Sequence, residues 1–304
     1  MSEGAGNRSS DGSERDDFEV WCDFTEVGDG VSDRQVGDVG DVVWGRLQGP
    51  RAYQQDRCLV GGSREGRQLL LAVADGMGGV GARDAGALAA EAALGAVGRA
   101  MRSAPMSSDC GVSMAPWFDA TFAQALDAVI EVAVSAEDGV GSSADDVATV
   151  DRAAGCTLLV AMVCDDWLEC AYLGDTRCLV IRDRQVWLVS EPHRDAANSG
   201  ALYRGLMCDQ TRARDARPDR FRCRLKPGDT VILASDGAWE AARDRDWTCL
   251  ARAWRWRPAV WRHLRRVMAR SDPVTGQVGD NASIVAFRVR RRFWRWLARP
   301  PAGE

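Results

Sequence analysis

Five acidic segments stand out, each at the end of a strand-like run or beside a glycine: Gln55-Asp56, Asp75-Gly76-Met77-Gly78-Gly79, Gly174-Asp175-Thr176-Arg177, Ser235-Asp236-Gly237 and Gly279-Asp280-Asn281. A rigid strand end can aim a carboxylate at a fixed point, and an adjacent glycine permits a tight turn and lets a backbone carbonyl approach a cation. Taken singly, each Asp-Gly pair is ordinary turn chemistry. Brought together, the carboxylates would repel one another unless cations neutralised them, so the joint pattern points to a metal site. Oxygen-only ligation by Asp, backbone carbonyl and water suits Mg²⁺ or Mn²⁺ better than Zn²⁺ or Cu²⁺. Two such ions about 3.5–4 Å apart can share a water, lower its pKa and present hydroxide to phosphorus without a covalent enzyme intermediate.

Other chemistries are poorly supplied. His193 and His263 are the only histidines and no Cys-x-x-Cys pair occurs, which argues against zinc. The stretch Asp75-Gly76-Met77 lacks the second Asp that an aspartyl nucleophile would call for. No Gly-x-x-x-x-Gly-Lys is present, and the single lysine, Lys226, follows no glycine-rich loop. A net charge of -5 does not suggest nucleic acid as a partner. Cysteines such as Cys164, Cys170 and Cys178 sit in apolar runs and read as small core residues of a reducing compartment. The N-terminus is polar and acidic, and no stretch reaches about 18 uninterrupted apolar residues, so a soluble, cytoplasmic protein is expected.

The elements that must position the acidic residues follow from periodicity. Residues 1–35 are rich in Gly, Ser, Asp and Glu and read as a disordered acidic leader, the folded domain spanning 36–290. Strands are expected at Asp41–Leu47, Asp56–Val60 and Leu69–Ala74, followed by helices over Arg83–Arg102 and Trp117–Ser135, where Phe118, Phe122, Leu126 and Val129 recur at helical spacing. A strand meander follows: Thr157–Val163, Trp167–Leu173, Arg177–Ile181 and Gln185–Val189, with turns at Asp165 and Asp183. Phe221–Leu225 and Thr230–Ala234 flank a Pro-Gly-Asp turn, a helical segment runs from Trp247 to Arg270 with a break near Pro258, and Ala282–Val289 is a last strand. With 46% hydrophobic residues in 304, one large α+β domain can bury a core.

Order and context sharpen the reading. Arg51-x-x-x-Gln55-Asp56, Asp75-Gly76-Met77-Gly78-Gly79, Gly155-Cys156-Thr157, Gly174-Asp175-Thr176-Arg177, Ala234-Ser235-Asp236-Gly237-x-Trp239-Glu240 and Asp280-Asn281 resemble the ordered motifs of the type 2C metal-dependent protein phosphatases, the PPM family, in its bacterial form. The likeness spans about Arg51 to Val289 and implies a four-layer α-β-β-α sandwich, two antiparallel sheets flanked by helices. It implies hydrolysis of phosphoserine and phosphothreonine by a hydroxide bridging two Mn²⁺ or Mg²⁺ ions. Asp75 would bridge the metals, with the Gly76 carbonyl and Asp56 on the second and Asp236 and Asp280 completing the first. Arg51 would grip the substrate phosphate, a task suited to a planar, permanently charged fork. Asp175 and Glu240 match a pair that holds a third metal in some members, and Asn281 would buttress Asp280. Signal transduction by removal of phosphate from targets of a Ser/Thr kinase, by a monomer, is the implied role.

The departures are specific. Gln55 is neutral where Glu is usual, which would weaken the second metal site; it also keeps in view an alternative, a pseudophosphatase that binds phosphoproteins as a regulatory module. Glu240 stands where Asp is usual, and Met77 offers no proton to a leaving alkoxide. The segment from Pro192 to Pro218, where the family carries a substrate-facing flap, shows little signal, and its His193 reads as a solvated loop residue. Thr176 is expected to support its turn and Arg177 to pair with a neighbouring carboxylate. The basic, Trp-containing tail 291–304 reads mainly as an amphipathic segment packed on the outer face, with peripheral contact to acidic lipid as the lesser reading.

Overall fold

The computed structural model describes residues 18–22, 29–37, 39–63, 67–78, 85–103, 112–138, 154–195, 201–208, 217–253, 255–270 and 279–290. Along the chain, β1 (Phe18–Cys22), β2 (Gly30–Val36), β3 (Gly40–Leu47), β4 (Arg57–Ser63), β5 (Gln68–Ala74) and the short β6 (Gly76–Met77) precede two long helices, α1 (Ala85–Ser103) and α2 (Ala115–Asp138). The meander follows as β7 (Gly155–Cys156), β8 (Leu158–Cys164), β9 (Trp167–Leu173), β10 (Arg177–Arg182) and β11 (Gln185–Val189). Three two-residue strands, β12 (Arg194–Asp195), β13 (Ala201–Leu202) and β14 (Leu206–Met207), lead to β15 (Asp219–Arg224) and β16 (Thr230–Ala234). The chain then forms α3 (Asp236–Trp239), α4 (Asp244–Arg252), α5 (Trp256–Met268) and β17 (Ala282–Val289).

Two six-stranded antiparallel sheets result, in the orders β1-β4-β5-β8-β9-β15 and β11-β10-β16-β17-β3-β2. The period-2 pattern of β5 shows how they layer. Leu69, Leu71 and Val73 point into the core between the sheets with Val180, Leu233, Val285 and Phe287, whereas Leu70, Ala72 and Ala74 point the other way, onto α1 and α2. On the outside of the second sheet Ile232 and Ile284 meet Trp247, Val260 and Leu264 of α4 and α5. This is the expected four-layer α-β-β-α sandwich, and burial of each large apolar side chain contributes about 1.5–3 kcal/mol. Tight turns close the hairpins: Asp165 adopts φ 50° between β8 and β9, and Asp183 and Arg184, at φ 50° and 69°, form the turn after β10 whose positive-φ pair matches strand twist.

The structure corrects two expectations and refines a third. The folded unit begins before Val36, because β1 pairs with β4 and β2 pairs with β3 as the edge strands of the two sheets. β2 is mostly exposed, so it lacks an alternating apolar pattern and is held by its backbone ladder to β3. The break in the C-terminal helical segment precedes Pro258, which lies in the first turn of α5, where a missing N–H costs nothing. Among the described residues eight cysteines are free, but Cys164 at the end of β8 is disulfide-bonded, against its reading as a simple core thiol. The leader before Phe18 and the tail 291–304 lie outside the described residues.

Candidate functional site

Strand register delivers the acidic residues to one end of the sandwich. In the first sheet Arg57 pairs with Ala74, which places Asp56 just before β4 beside Asp75 just after β5. In the second, Arg177, Ala234 and Ile284 lie abreast, so Asp175, Asp236 and Asp280 share that sheet's corresponding end. Ser235 joins the two sheets: its hydroxyl donates to Asp56 Oδ2 at 2.7 Å and accepts from the Ser283 N–H at 2.8 Å. Asp75 is fastened by Thr157, whose N–H donates to the Asp75 carbonyl at 2.8 Å and whose Oγ1 accepts from the Asp75 N–H at 3.1 Å. Thr176 supports this arrangement through a 2.6 Å hydroxyl contact with Thr157. Two glycines are sterically required. A Cβ on Gly76 would strike the Gly86 carbonyl of α1, and one on Gly237 would strike the Asn281 carbonyl.

Asn281 links the first and last motifs. Its Oδ1 accepts from the Gln55 N–H at 2.8 Å, and its Nδ2 donates to the carbonyls of Gln48 at 2.8 Å and Tyr53 at 3.0 Å. Its backbone N–H donates to Asp280 Oδ1 at 2.7 Å, while its side chain serves residues 48, 53 and 55 instead. Gln55 Nε2 donates to the Gly78 carbonyl at 2.8 Å, a bond that a carboxylate could not make.

The electrostatics are those of crowded negative charge, buried at Asp56 and Asp175 and partly buried at Asp75, Asp236 and Asp280. Burial pushes the Asp56 carboxyl up to about 6, with Ser235 and Ser283 opposing the rise. Burial and then Asp175 and Asp280 push Asp236 up to about 8, Arg194 opposing. Asp75 is held well above the carboxylate range by burial and by Asp56, Asp236, Asp175 and Asp280, so all five carboxylates lie close enough to repel one another. Asp56 Oδ1 is buried and, among the described residues, meets no donor with hydrogen-bond geometry. An orphaned, buried carboxylate oxygen among repelling carboxylates fits a hard divalent cation, for which Asp56, Asp75, Asp236, Asp280 and the Gly76 carbonyl are the available oxygen donors.

Arginines occupy the spaces between these groups, and among the described residues no three acidic side chains are already closed around one point. Arg51, about half exposed, pairs with Asp280 at 2.5 Å. Arg194, which sequence reasoning missed, pairs with Asp175, with Asp236 at 2.8 Å and with Glu240 at 2.6 Å. Its only sequence signal was a surplus of acidic residues with no assigned counter-charge. His193 is not solvated: it is buried, its Nδ1 accepts from the Gly174 N–H at 2.9 Å, its Nε2 meets Asp219 at 3.1 Å, and its ring stacks on Tyr172. Among the described residues Arg177 forms no ion pair with a carboxylate and instead stacks on Trp239, its guanidinium carbon 3.7 Å from the ring centre. A groove of about 980 Å³ between β2 and the start of α5 holds none of the five motif carboxylates.

Residues 51–285 match the protein phosphatase 2C family. The chain belongs to that family. It is a protein-serine/threonine phosphatase, as the order of the acidic motifs implied. Solved structures share the fold. The catalytic domain of the serine/threonine protein phosphatase PstP, in complex with two manganese ions, is 18% identical with a TM-score of 0.58, over 86% of this chain and 99% of that one. PppA of Pseudomonas aeruginosa, described as a key regulatory component of T6SS, is 20% identical with a TM-score of 0.55, over 85% and 96%. MsPP of Mycobacterium smegmatis, a PPM Ser-Thr phosphatase in complex with cacodylate, is 22% identical with a TM-score of 0.53, over 83% and 99%. No curated protein matches the chain.

Proposed function

We propose that this phosphatase hydrolyses phosphoserine and phosphothreonine in proteins with two divalent cations, Mn²⁺ or Mg²⁺, held by Asp56, Asp75, the Gly76 carbonyl, Asp236 and Asp280. The observation that carries the reading is geometric: strand register brings Asp56, Asp75, Asp236 and Asp280 to one end of the sandwich, with Asp56 fully buried among them. Bound there, the cations would neutralise these groups and make water acidic enough to attack phosphorus at neutral pH.

The chain's own residues do the rest. Thr157, Ser235 and Asn281 fix the carboxylates and loops before any ligand arrives, which spares reorganisation during reaction. Arg51 is exposed enough to leave Asp280 and take the substrate phosphate in its planar fork. Met77 has no proton to give, and His263 is buried at pKa about 4 and meets the Ala238 carbonyl, so neither serves as a general acid to the leaving group. Gln55 serves the loop by donating to the Gly78 carbonyl. Substrates are phosphorylated proteins, targets of a Ser/Thr kinase, and the enzyme acts as a monomer in cytoplasmic, bacterial signal transduction. Among the described residues no helix is long and apolar enough to cross a membrane.

Hydrolysis of a phosphothreonine peptide, followed with and without Mn²⁺ in wild type and Asp236→Asn, tests the proposal. Activity should need the metal and fall roughly 100-fold or more in the variant, since even indirect perturbation of a metal site costs about 10–100-fold. Turnover indifferent to both would remove the two-cation reading.

A further inference from the structure

Arg194 makes one ion pair from each of its three guanidinium nitrogens: Nε to Asp175, Nη2 to Asp236 and Nη1 to Glu240. Those carboxylates come from three places in the chain, the β9–β10 turn, the start of α3 and the residue after α3. Three carboxylates, each facing a different nitrogen of one guanidinium, need positive charge beside them, and here the chain supplies its own.

The guanidinium is held in place from several sides. Its neighbour His193 is pinned reciprocally to Gly174, donating its N–H to the Gly174 carbonyl at 3.0 Å and accepting the Gly174 N–H on Nδ1 at 2.9 Å. The Arg194 N–H donates to the Pro192 carbonyl at 2.9 Å. Trp239 lies alongside, 5.3 Å from its ring centre to the guanidinium, and its indole N–H donates to the Asp175 carbonyl at 3.0 Å. The ring thus braces both the cation and the loop that bears its acidic partner. Burial would pull the Arg194 pKa down, but Asp175, Asp236 and Glu240 outweigh it and push the value up, so the charge is permanent.

We propose that Arg194 is a tethered cation that closes the space between Asp175, Asp236 and Glu240 to divalent ions and positions Asp236. The proposal rests on the two-cation reading of the neighbouring carboxylates. A fixed +1 replaces a +2 ion whose occupancy would vary with its concentration, and its second role is to keep one oxygen of Asp236 oriented. Asp175 and Glu240 then face the arginine, and the number of metal ions per chain is capped by a side chain.

The test is Mn²⁺ stoichiometry of the full chain by equilibrium dialysis and calorimetry. Arg194→Gln, which keeps length but removes charge, should bind one more Mn²⁺ per chain than wild type. Asp175→Asn on top of it should abolish the extra ion, and Arg194→Lys should match wild type. Thermal melts confirm that each variant is folded. No gain in Arg194→Gln, or a gain that survives Asp175→Asn, overturns the proposal. The absolute count speaks to the other question: a wild type that binds no Mn²⁺ ends the two-cation reading, whatever the difference between variants.

Discussion

Raising the pH should destabilise the metal-free protein, and Asp56 allows the effect to be sized. Burial lifts its folded pKa from 3.8 to about 6, the Ser235 and Ser283 hydroxyls opposing and Asp280 adding to the rise. In the unfolded chain it titrates near 3.9. Below about pH 4 both states hold the proton and the group is neutral to stability. Between roughly pH 4 and 6 the unfolded chain releases it while the folded chain keeps it, so stability falls as pH rises, and the loss is complete above about 6. Two pKa units at about 1.36 kcal/mol each amount to about 3 kcal/mol. That corresponds to roughly 5 °C in melting temperature for a chain of this size. Asp236, lifted to about 8, extends the decline in the same direction. Calorimetric melts in EDTA from pH 4 to 8 should show Asp56→Asn gaining on wild type by about that margin, and saturating Mn²⁺ should cancel the gain by stabilising wild type alone. If the difference between the two proteins stays flat across the range, the buried-carboxylate argument is wrong.

Gln55→Glu should lose the bond to the Gly78 carbonyl and set a carboxylate against it, lowering stability by about 1–3 kcal/mol without tightening Mn²⁺ binding; melts beside a Mn²⁺ titration decide, and tighter binding would show that Gln55 faces the cations. Asn281→Ala removes three side-chain hydrogen bonds from a buried position, so it should cost roughly 2–4 kcal/mol in urea unfolding and loosen the Arg51 loop enough to raise KM for a phosphopeptide more than it lowers kcat.

The acidic motifs were legible because strand ends and glycines are local signals. Asp75 closes an apolar run and Asp236 follows one, so periodicity alone placed them at the rim of a sheet. The core was legible for the same reason, since Leu69 to Ala74 alternate between the two faces that the layers require. The edges were not. Five of the seven β2 residues are exposed, and its pairing with β3 is a backbone ladder that leaves no trace in side-chain type. Asn281 was read as a prop for Asp280 alone, because its bonds to residues 48, 53 and 55 depend on a closure across more than 200 positions.

Arg194 and His193 show where sequence reasoning ends at such a site. Both stand in a segment without periodicity, and the features that define them are contacts 19 to 46 residues away in the chain. An acidic cluster announces that positive charge is needed, but two solutions satisfy it equally: a bound ion or a side chain. Choosing between them requires the path of the loop, which here is set by a buried histidine clamped to the glycine beside Asp175. The identity of a metal-binding family therefore follows from its carboxylates, whereas the number of ions a given member holds follows from what its loops bring against them. In this chain the loop that carries Arg194 is fixed by a two-residue strand, β12, paired with β13.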